Sequence, residues 1–472
     1  GYTLMIEAPL LLRPAAASLI YGEWMVLAVF LLTAAVSAGI GFALRAIKPR
    51  SKVFYMREGF TATALSWIVI SVVGAAPFVL TGCIPNPVDA LFETVSGFTT
   101  TGASILPEVE SLPKGILFWR SFTHWIGGMG VLVFLLSLLP LTGGSHVNLM
   151  KAESPGPQVD KLVPKVQSTA KILYGIYLAL TVLELLFLLA GRMPLFEALL
   201  TSFGTAGTGG FGNWNDSIAH YDSAYLQNVI SVFMILFGIN FNAYFLLLTR
   251  KFKQLFKIEE IRVYLGVIAV FTTLIAFNVR GCFSSLRESF HHSLFQVASI
   301  ITTTGFSTVD FNQWPAFSKL LIVLLMFIGA CAGSTGGGMK CSRILLLFKG
   351  VKKEMMSLIH PRLVRVHKMD GQRVQHEVMR SVNAFLVAYL IVIAISILIV
   401  SLHCEDMVTS FTSVVTCINN VGPGLNQVGP AANFGALHPL SKIVLIFDML
   451  AGRLELFPML LLFAPETWRR NR

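Results

Sequence analysis

Charged residues are scarce in this chain. Only 13% of its 472 residues are aspartate, glutamate, lysine or arginine, whereas 54% are hydrophobic and the mean hydropathy is +0.70. So few polar groups cannot cover the surface of a water-soluble protein of this size, and a disordered chain would be far less apolar. The composition therefore predicts a membrane protein that is surrounded by the lipid bilayer.

Cysteine is also scarce, and the motifs of enzyme chemistry are missing. The six cysteines form no CxxC pair, which excludes a disulfide scaffold and favours reduced thiols. The sequence contains neither HExxH nor G-x-S-x-G, so we expect no zinc centre, no enzyme and no cofactor in this chain. The 36 basic residues against 25 acidic ones do not indicate nucleic-acid binding, because the basic residues lie in short loops between apolar runs.

Long hydrophobic runs are abundant. A helix needs about 20 apolar residues to cross the hydrocarbon core of a bilayer. Nine runs fit this requirement: Trp24–Ile47, Phe60–Leu80, Ile116–Leu141, Ile172–Ala190, Leu226–Leu248, Val263–Val279, Leu320–Phe348, Val382–Leu402 and Ile443–Phe463. A tenth run, Tyr2–Tyr21, is interrupted by Glu7, Arg13 and two prolines. It lacks the basic start and the cleavage site of a signal peptide, so we do not interpret it as one. We expect it to form an extra hairpin with the next run.

The positions of lysine and arginine indicate the orientation, because cytoplasmic loops retain positive charge. Five clusters hold 26 of the 36 basic residues: 45–57, 151–171, 250–262, 343–380 and 469–472. We expect these segments, including the carboxyl terminus, to be cytoplasmic. Acidic residues such as Glu93 and Asp406 lie in the connections on the other face, where they are ordinary solvated residues or, as a set, attract cations. The basic loop 343–380 is either solvated or a docking site for a cytosolic partner.

One pattern occurs four times from residue 55 onward. Each copy has an apolar run, a moderately hydrophobic outward segment, a threonine/glycine or asparagine/glycine cluster, a second apolar run and a basic loop. Alignment of the copies makes one glycine of each equivalent, at spacings of 108, 95 and 117 residues: Gly102, Gly210, Gly305 and Gly422. Gly207 and Gly209 compete with Gly210 in the second copy, which leaves that register open by a residue or two. A single cluster of this kind is commonly a simple loop, but four in matched positions indicate a shared role.

The outward segments predict re-entrant pore loops. Each opens with a stretch of about ten residues that is compatible with a helix but too short to span the membrane. A loop that dips into the membrane is allowed only where protein or water shields its backbone. Four such loops around one axis can direct backbone carbonyls inward and replace the hydration shell of a monovalent cation. Glycine suits the turn because a residue with a Cβ is penalised at positive φ, and the carboxyl ends of the short helices favour a cation.

The second apolar run of the third copy is interrupted by small residues from Gly333 to Gly338. At a cost of about 1 kcal/mol for each glycine, this stretch cannot hold a stable helix, and a break inside a membrane persists only beside a water-filled cavity. We call the predicted ring of inward-facing carbonyls the filter. We therefore predict a flexible constriction just inside this filter, with close helix packing through small residues as the alternative. The run departs from the phosphate-binding pattern G-x4-G-K-[ST], because Met339 follows Gly338 and no strand precedes it.

Arg453 lies within the last apolar run. An ionisable residue at such a position is expensive and functional by default. The alternative is a structural charge pair with Asp448 or Glu455. Lys340, just after Gly338, either adds a second cation to the pore or faces the cytosol.

The chain resembles the Trk/Ktr/HKT superfamily of potassium transporters, and most closely its TrkH branch, from Met56 to the carboxyl terminus. The motifs that carry the resemblance are Thr99-Thr-Thr-Gly102, Thr302-Thr-Thr-Gly305, Asn419-Asn-Val-Gly-Pro-Gly424, Glu153-Ser-Pro-Gly-Pro157 and Gly452-Arg-Leu-Glu455. The resemblance implies an all-α polytopic membrane protein with four M1–P–M2 repeats (helix, pore loop, helix) in a pseudo-fourfold arrangement around one ion pore. The expected divisions are an amino-terminal transmembrane hairpin at 1–52 and pore repeats at 53–150, 151–254, 255–350 and 351–472.

The resemblance also implies a function and an assembly. The function is potassium uptake through a selective channel-like pore, with weaker selection against sodium than a full TVGYG filter provides. A secondary symporter coupled to protons or sodium is the alternative, although its usual inverted repeat is not seen here because these repeats run in the same direction. The implied assembly is a homodimer in a bacterial inner membrane, bound on its cytosolic side to a nucleotide-binding regulatory ring of the TrkA type.

The resemblance assigns roles to individual residues. The filter residues are Thr100, Thr101, Gly102, Thr208, Gly209, Gly210, Thr303, Thr304, Gly305, Asn420, Val421 and Gly422. Within this set, the backbone carbonyls expected to bind potassium belong to Thr101, Gly102, Gly209, Gly210, Thr304, Gly305, Val421 and Gly422. The gate residues are Gly333, Ser334, Thr335, Gly336, Gly337, Gly338, Lys340 and Arg453.

Overall fold

The computed structural model describes residues 1–46, 56–130, 166–360 and 368–469. Helices dominate this part of the chain. Six of them are long and apolar enough to cross a membrane, and a seventh span results if one sharply bent pair is counted as a single element. The motif 153–157, the end of the third apolar run at 131–141 and most of the basic cluster 151–171 lie outside the described residues.

An amino-terminal hairpin precedes the repeats, as expected. Its helices are Tyr2–Ile20 and Trp24–Ala46. The first helix continues through Pro9 and Pro14, because a membrane helix tolerates proline where neighbouring groups satisfy the backbone. In the turn, the Glu23 carboxylate accepts a hydrogen bond of 2.6 Å from the Lys114 backbone N–H. The hairpin thereby supplies the cap that the first inner helix lacks within its own sequence.

Each repeat consists of a first helix, a short pore helix and an inner helix. The first helices are Met56–Leu80, Val166–Ala190, Glu259–Asn278 and His376–Ser401. The pore helices are Pro87–Phe98, Leu195–Gly207, Leu286–Ile301 and Met407–Ile418. The inner helices begin as Lys114–Gly128, Ala224–Phe237, Ala316–Ile328 and Pro439–Arg453. Further segments of the inner helices in repeats two to four are Phe241–Leu248, Cys341–Ile359 and Phe457–Leu461.

Short elements connect these helices. They are the α-helices Phe252–Leu255 and Pro465–Trp468 and the 3-10 turns Ser217–His220, Arg280–Cys282, Phe311–Gln313 and Asn426–Val428. One β-hairpin, Lys368–Met369 paired antiparallel with Gln372–Arg373, precedes the first helix of the fourth repeat. Met369 of this hairpin is buried together with Leu346, Met379 and Val382.

Side-chain caps explain where three of the pore helices begin. Asn86, Ser285 and Asp406 each accept a hydrogen bond from a backbone N–H in the first turn of the helix that follows. Asparagine, serine and aspartate are preferred at this position because they satisfy N–H groups that have no partner within the helix. Pro87 at the first helical position adds a fixed φ angle that suits a helix start.

The inner helix of the third repeat is broken where the sequence predicts it. The helix stops at Ile328 and resumes at Cys341, so the small residues between Gly333 and Gly338 lie in a loop. We call the segment 329–340 the intramembrane loop.

The inner helices of the second and fourth repeats are also broken, which the sequence analysis did not predict. The second bends by 90° around Gly238 to Asn240. The fourth ends at Arg453, after which Glu455 and Leu456 adopt positive φ angles of 58° and 66°. Hydropathy missed these breaks because one or two residues barely change the mean over a window of about 20, although they decide whether the backbone ladder continues.

The pore helices lie in the interior and the first helices face outward. In each pore helix, most residues after the first turn are buried. The first helices instead expose large apolar side chains such as Leu186 (56%) and Leu398 (67%). Apolar exposure of this extent over many helices is typical of a surface in contact with lipid. All six cysteines are free thiols.

Candidate functional site

Four glycines at equivalent positions share one unusual backbone conformation. Their φ angles are 77° at Gly102, 77° at Gly210, 84° at Gly305 and 100° at Gly422. In each repeat the residue two positions earlier is also left-handed, with φ between 55° and 58°: Thr100, Thr208, Thr303 and Asn420. The matching conformation selects Gly210 over Gly207 and Gly209 as the equivalent glycine of the second repeat.

The four glycine segments form a closed ring. A Cβ atom on each glycine would meet the backbone carbonyl oxygen of the residue that precedes the glycine of the next repeat. The pairs are Gly102 with Gly209, Gly210 with Thr304, Gly305 with Val421, and Gly422 with Thr101. The order is therefore one, two, three, four and back to one. Such close backbone approach requires glycine, because any side chain would overlap the neighbouring carbonyl.

Hydroxyl and amide side chains form contacts within the glycine segments and between them. The Oγ1 atoms of Thr99 and Thr101 lie 2.8 Å apart, and those of Thr302 and Thr304 form the same contact at 2.8 Å. In the fourth repeat, Asn420 Nδ2 instead donates to Thr101 Oγ1 of the first repeat at 3.0 Å. The asparagines that distinguish the fourth repeat from the others thus join its segment to the first segment.

A cavity of about 110 Å³ opens on one side of the ring. It is lined by all four glycines and by residues that follow them, and Arg120 reaches into its wall. The Arg120 guanidinium forms an ion pair of 2.8 Å with Glu93, and both side chains are buried. Glu93 also accepts hydrogen bonds from Ser104 Oγ (3.0 Å) and the Ile105 N–H (3.0 Å) in the segment after Gly102.

The Arg120–Glu93 pair is a feature that the sequence analysis missed. It treated Glu93 as an outward carboxylate, whereas the structure buries Glu93 behind the first glycine segment. Arg120 also lies over the Phe211 ring, 4.1 Å from its centroid, and so connects the first segment with the second. Arg120 lies within an apolar run, which is the same signal that drew attention to Arg453.

His124 is a second residue that the sequence analysis did not single out. Its Nδ1 lies 2.8 Å from the Gly97 carbonyl oxygen, and its Nε2 accepts a hydrogen bond of 3.2 Å from the Phe211 N–H. A Cβ on Gly209 would overlap the imidazole ring. His124 therefore packs directly behind the second glycine segment.

The intramembrane loop lies directly against the other side of the ring. The Gly337 N–H donates a hydrogen bond of 2.6 Å to Thr303 Oγ1. A Cβ on Gly336 would approach the Thr302 carbonyl oxygen within 2.8 Å, and one on Gly337 would approach that of Asn419 within 2.5 Å. Only glycine allows the loop to come this close to the third and fourth segments.

Arg453 links the loop to the first repeat. Its guanidinium donates to the carbonyl oxygens of Thr335 (2.8 Å) and Gly128 (2.8 Å), and also to that of Gly127. Of the two acids considered as partners, Asp448 accepts from Ser396 (2.8 Å) and Glu455 forms an ion pair with Arg343 (2.5 Å).

Lys340 does not face the cytosol. Its side chain is buried, and its ammonium group donates a hydrogen bond to the Gly336 carbonyl oxygen within the same loop. The alternative in which this lysine simply points into water is therefore wrong.

A second cavity, of about 100 Å³, lies on the loop side of the ring. Its wall includes Gly336 to Gly338, Lys340 and Arg453 from the loop and the fourth inner helix, together with Gly128 from the first. Two cavities are thus separated by the ring of glycine segments and by the loop beneath it. Among the described residues, no group of three or more histidine, cysteine or acidic side chains is placed to hold a metal ion. The oxygens that these residues provide at the ring belong to the backbone, to threonine hydroxyl groups and to the Asn420 amide.

The comparisons with known proteins agree with this geometry. A family model described as TrkH, a cation transport protein, matches residues 25–470. The chain is 38% identical to the Trk system potassium uptake protein TrkH of Salmonella typhimurium, over 99% of this chain and 98% of that protein. It is 40% identical to TrkH of Escherichia coli, over 88% of this chain and 86% of that protein. The fold superimposes on the crystal structure of the potassium transporter TrkH from Vibrio parahaemolyticus with a TM-score of 0.86 and 33% identity, covering 99% and 97% of the two chains. With its four repeats, its ring of glycine segments and these relatives, the chain belongs to the TrkH family of cation transport proteins, which are transporters and not enzymes.

Proposed function

We propose that this protein takes up potassium through a channel-like pore that runs through the ring of four glycine segments. The observation that carries the proposal is the closed ring itself, in which every glycine lies against a backbone carbonyl of the next repeat. The relatives named above are potassium uptake proteins, which supports potassium as the substrate. A multi-pass membrane protein with a cavity on each side of such a ring has the geometry of a conduction pathway.

The proposed filter uses backbone oxygens as substitutes for water. The carbonyls of Thr101, Gly209, Thr304 and Val421 belong to the four pairs of close contacts, one from each repeat. A ring of carbonyl dipoles can replace the hydration shell of an alkali ion. The adjacent residues of the proposed filter are Thr100, Gly102, Thr208, Gly210, Thr303, Gly305, Asn420 and Gly422. Because each repeat contributes one positive-φ glycine, the filter is short.

The proposed gate is the intramembrane loop together with Lys340 and Arg453. Support comes from the direct contact of Gly337 with Thr303 and from the bonds of Arg453 to two different repeats. Two cationic side chains under a cation filter raise the energy of an ion at that point. Displacement of the loop would move Lys340 and release Arg453 at the same time. The residues Gly333 to Gly338 supply the backbone freedom for that movement.

The same proposal covers the orientation and the assembly. The basic loops and the carboxyl terminus are placed in the cytoplasm of a bacterium, with the protein in the inner membrane. The divisions at 1–52, 53–150, 151–254, 255–350 and 351–472 define the hairpin and the four repeats. The biological unit is proposed to be a homodimer with a nucleotide-binding regulatory ring of the TrkA type on its cytosolic side, so that the nucleotide binds the partner and not this chain.

Substitution of Gly305 tests the filter. In Gly305→Ser, the new side chain would overlap the Val421 carbonyl oxygen and occupy a φ of 84°. We expect the ratio of potassium to sodium flux into proteoliposomes to fall by about tenfold or more, because 1.4 kcal/mol at the ion site is a factor of ten. Uptake of rubidium, which replaces potassium in the assay, and uptake of sodium are measured side by side to give this ratio.

Gly82→Ser is the matched control. Gly82 has a φ of 76° but a Cβ there meets no atom within 4 Å, so the control imposes the same backbone strain away from the ring. We expect its flux and ion preference to equal those of the unchanged protein. If Gly305→Ser also leaves both quantities unchanged, the ring is not the filter.

A further inference from the structure

Glu260, in the first turn of the third repeat's first helix, binds both ends of the intramembrane loop. Its Oε1 accepts hydrogen bonds from the Ala332 N–H at 2.7 Å and the Ser342 N–H at 3.0 Å. The two donors lie ten residues apart in sequence, one near the start of the loop and one just after its end. A third bond, from the Cys341 N–H to the Ala330 carbonyl oxygen at 3.0 Å, closes the base of the loop.

Glu260 is suited to hold this position. Only 3% of its surface is exposed, and a buried N–H that loses a charged acceptor has no water to replace it. The conformation of the loop ends therefore depends on where this one carboxylate lies. None of the filter or gate residues proposed above supplies an equivalent contact to both ends.

The residue before it, Glu259, is bound from the cytoplasmic side. The Asp370 carboxylate, in the turn of the β-hairpin, accepts a hydrogen bond of 2.7 Å from the Glu259 N–H. The Glu259 carboxylate pairs with Lys349, whose ammonium group also donates to the Lys368 carbonyl oxygen at 2.7 Å. The β-hairpin thus caps the helix that starts at Glu259. The next residue of that helix, Glu260, holds the intramembrane loop.

We infer that Glu260 is a positioning residue for the gate, and that the contact between Asp370 and Glu259 couples the β-hairpin at 368–373 to the intramembrane loop. A force that moves the hairpin moves the start of the helix at Glu259, and with it the carboxylate that fixes both loop ends. This inference rests on the proposed function for the meaning of the loop as a gate. The contacts themselves are independent of which ion passes.

The native cysteines allow a test that does not depend on ion flow. Cys331 lies within the loop and Cys341 directly follows it, and both are buried; Cys417 is buried within the fourth pore helix, and Cys282 is exposed. The protein is reconstituted in lipid nanodiscs and treated with a maleimide, and peptide mass spectrometry measures the labelling rate of each cysteine. Cys282 reports that the reagent is active, and Cys417 reports that the fold is intact.

The variants come in matched pairs. Glu260→Ala and Asp370→Ala remove the acceptor, whereas Glu260→Gln and Asp370→Asn keep a carbonyl oxygen that still accepts a hydrogen bond. In Glu260→Ala we expect Cys331 and Cys341 to be labelled roughly tenfold faster or more, the factor expected when a buried N–H loses a charged partner. In Asp370→Ala, where the lost bond is partly buried, we expect the same two cysteines to be labelled faster than in the native protein. The amide variants should label close to the native rate, and Cys417 should stay protected in all four.

Several results would overturn the inference. Native protection of Cys331 and Cys341 in Glu260→Ala would show that the carboxylate does not hold the loop, and faster labelling of Cys417 as well would show a general structural role. Native protection in Asp370→Ala would remove the link to the hairpin. Potassium flux measured on the same variants in proteoliposomes separates the two proposals: faster labelling with unchanged flux keeps the Glu260 contact and rejects the loop as the gate.

Discussion

At the scale of single residues, the buried cation beside the ring, Arg120, has a counter-ion. Arg120 reaches the cavity on one side of the glycine segments, where an unpaired cation would repel potassium. The Glu93 carboxylate lies 2.8 Å from the Arg120 guanidinium and neutralises its charge. The same carboxylate accepts hydrogen bonds from the Ser104 hydroxyl and the Ile105 N–H. The pair therefore holds the backbone that leaves the first segment and keeps the cavity from becoming positive.

Loss of Glu93 should destabilise the protein strongly. Glu93→Gln leaves the Arg120 charge buried without a counter-ion, which costs about 3–5 kcal/mol in comparable buried pairs. We expect a clear fall of the melting temperature in detergent. Glu58→Gln, in the partly exposed pair of Arg57 and Glu58, is the control and should cost about 1 kcal/mol or less. Equal effects of the two substitutions would contradict the assigned role of the buried pair.

At the scale of secondary-structure elements, the pore helices are defined by their caps and by their burial. The fourth begins at Asp406, whose carboxylate accepts from the N–H groups of Val408 (3.1 Å) and Thr409 (3.0 Å). Hydrogen bonds from the Thr409 hydroxyl and from Asn426 lower the pKa of Asp406 to about 2. The cap thus joins the start of the pore helix to the segment that follows the ring.

The Asp406 cap should make stability depend on pH at the acidic end. Because its pKa in the folded protein lies below the value of about 3.9 expected in an unfolded chain, the stabilisation is complete above pH ~4 and is lost as the pH falls through the folded pKa. Asp406→Asn keeps the cap without a titrating group. We expect the melting temperature of this variant to fall less between pH 5 and 2.5 than that of the unchanged protein. Parallel pH curves would refute the assignment.

At the scale of the whole molecule, the breaks of the inner helices converge beneath the ring. The intramembrane loop bonds into the break of the second repeat through Cys331 N–H to Gly238 O (3.1 Å) and Phe241 N–H to Gly333 O (2.9 Å). Arg453, at the break of the fourth, reaches Thr335 and the end of the first inner helix at Gly128. The first three repeats therefore contribute backbone groups to one constriction, and the fourth contributes the Arg453 side chain.

Deletion of Ala332 to Gly338 should open this constriction. The deletion removes the loop contacts with the third and fourth segments, the Thr335 carbonyl that accepts from Arg453 and the Gly333 carbonyl that accepts from the Phe241 N–H. We expect a several-fold rise in rubidium uptake into proteoliposomes, with the ion preference retained because the ring is intact. Combining the deletion with Gly305→Ser should keep the high flux but lose the preference. A deletion variant with native flux would reject the gate.

Part of the architecture could be predicted from the sequence because it depends on residues that are close together in the chain. Hydrophobic runs, the short pore helices and the four equivalent glycines each depend on residues within one segment. The register of the second glycine was left open, since Gly207, Gly209 and Gly210 look alike until the φ angle of Gly210 is known. The breaks in the second and fourth inner helices were missed because they depend on partners from other repeats, such as the Gly333 carbonyl that binds the Phe241 N–H.

The sequence by itself determined that this chain spans a membrane, that it repeats one unit four times, and that a glycine recurs where each unit must turn its backbone. Only the tertiary structure decided that the four segments close into a ring in chain order, that Arg120 pairs with Glu93, and that Glu260 holds both ends of the intramembrane loop. The physical reason is one of range. Burial and backbone preference act within a few residues and leave a periodic trace, whereas these contacts join positions that are neighbours only after the helices have packed.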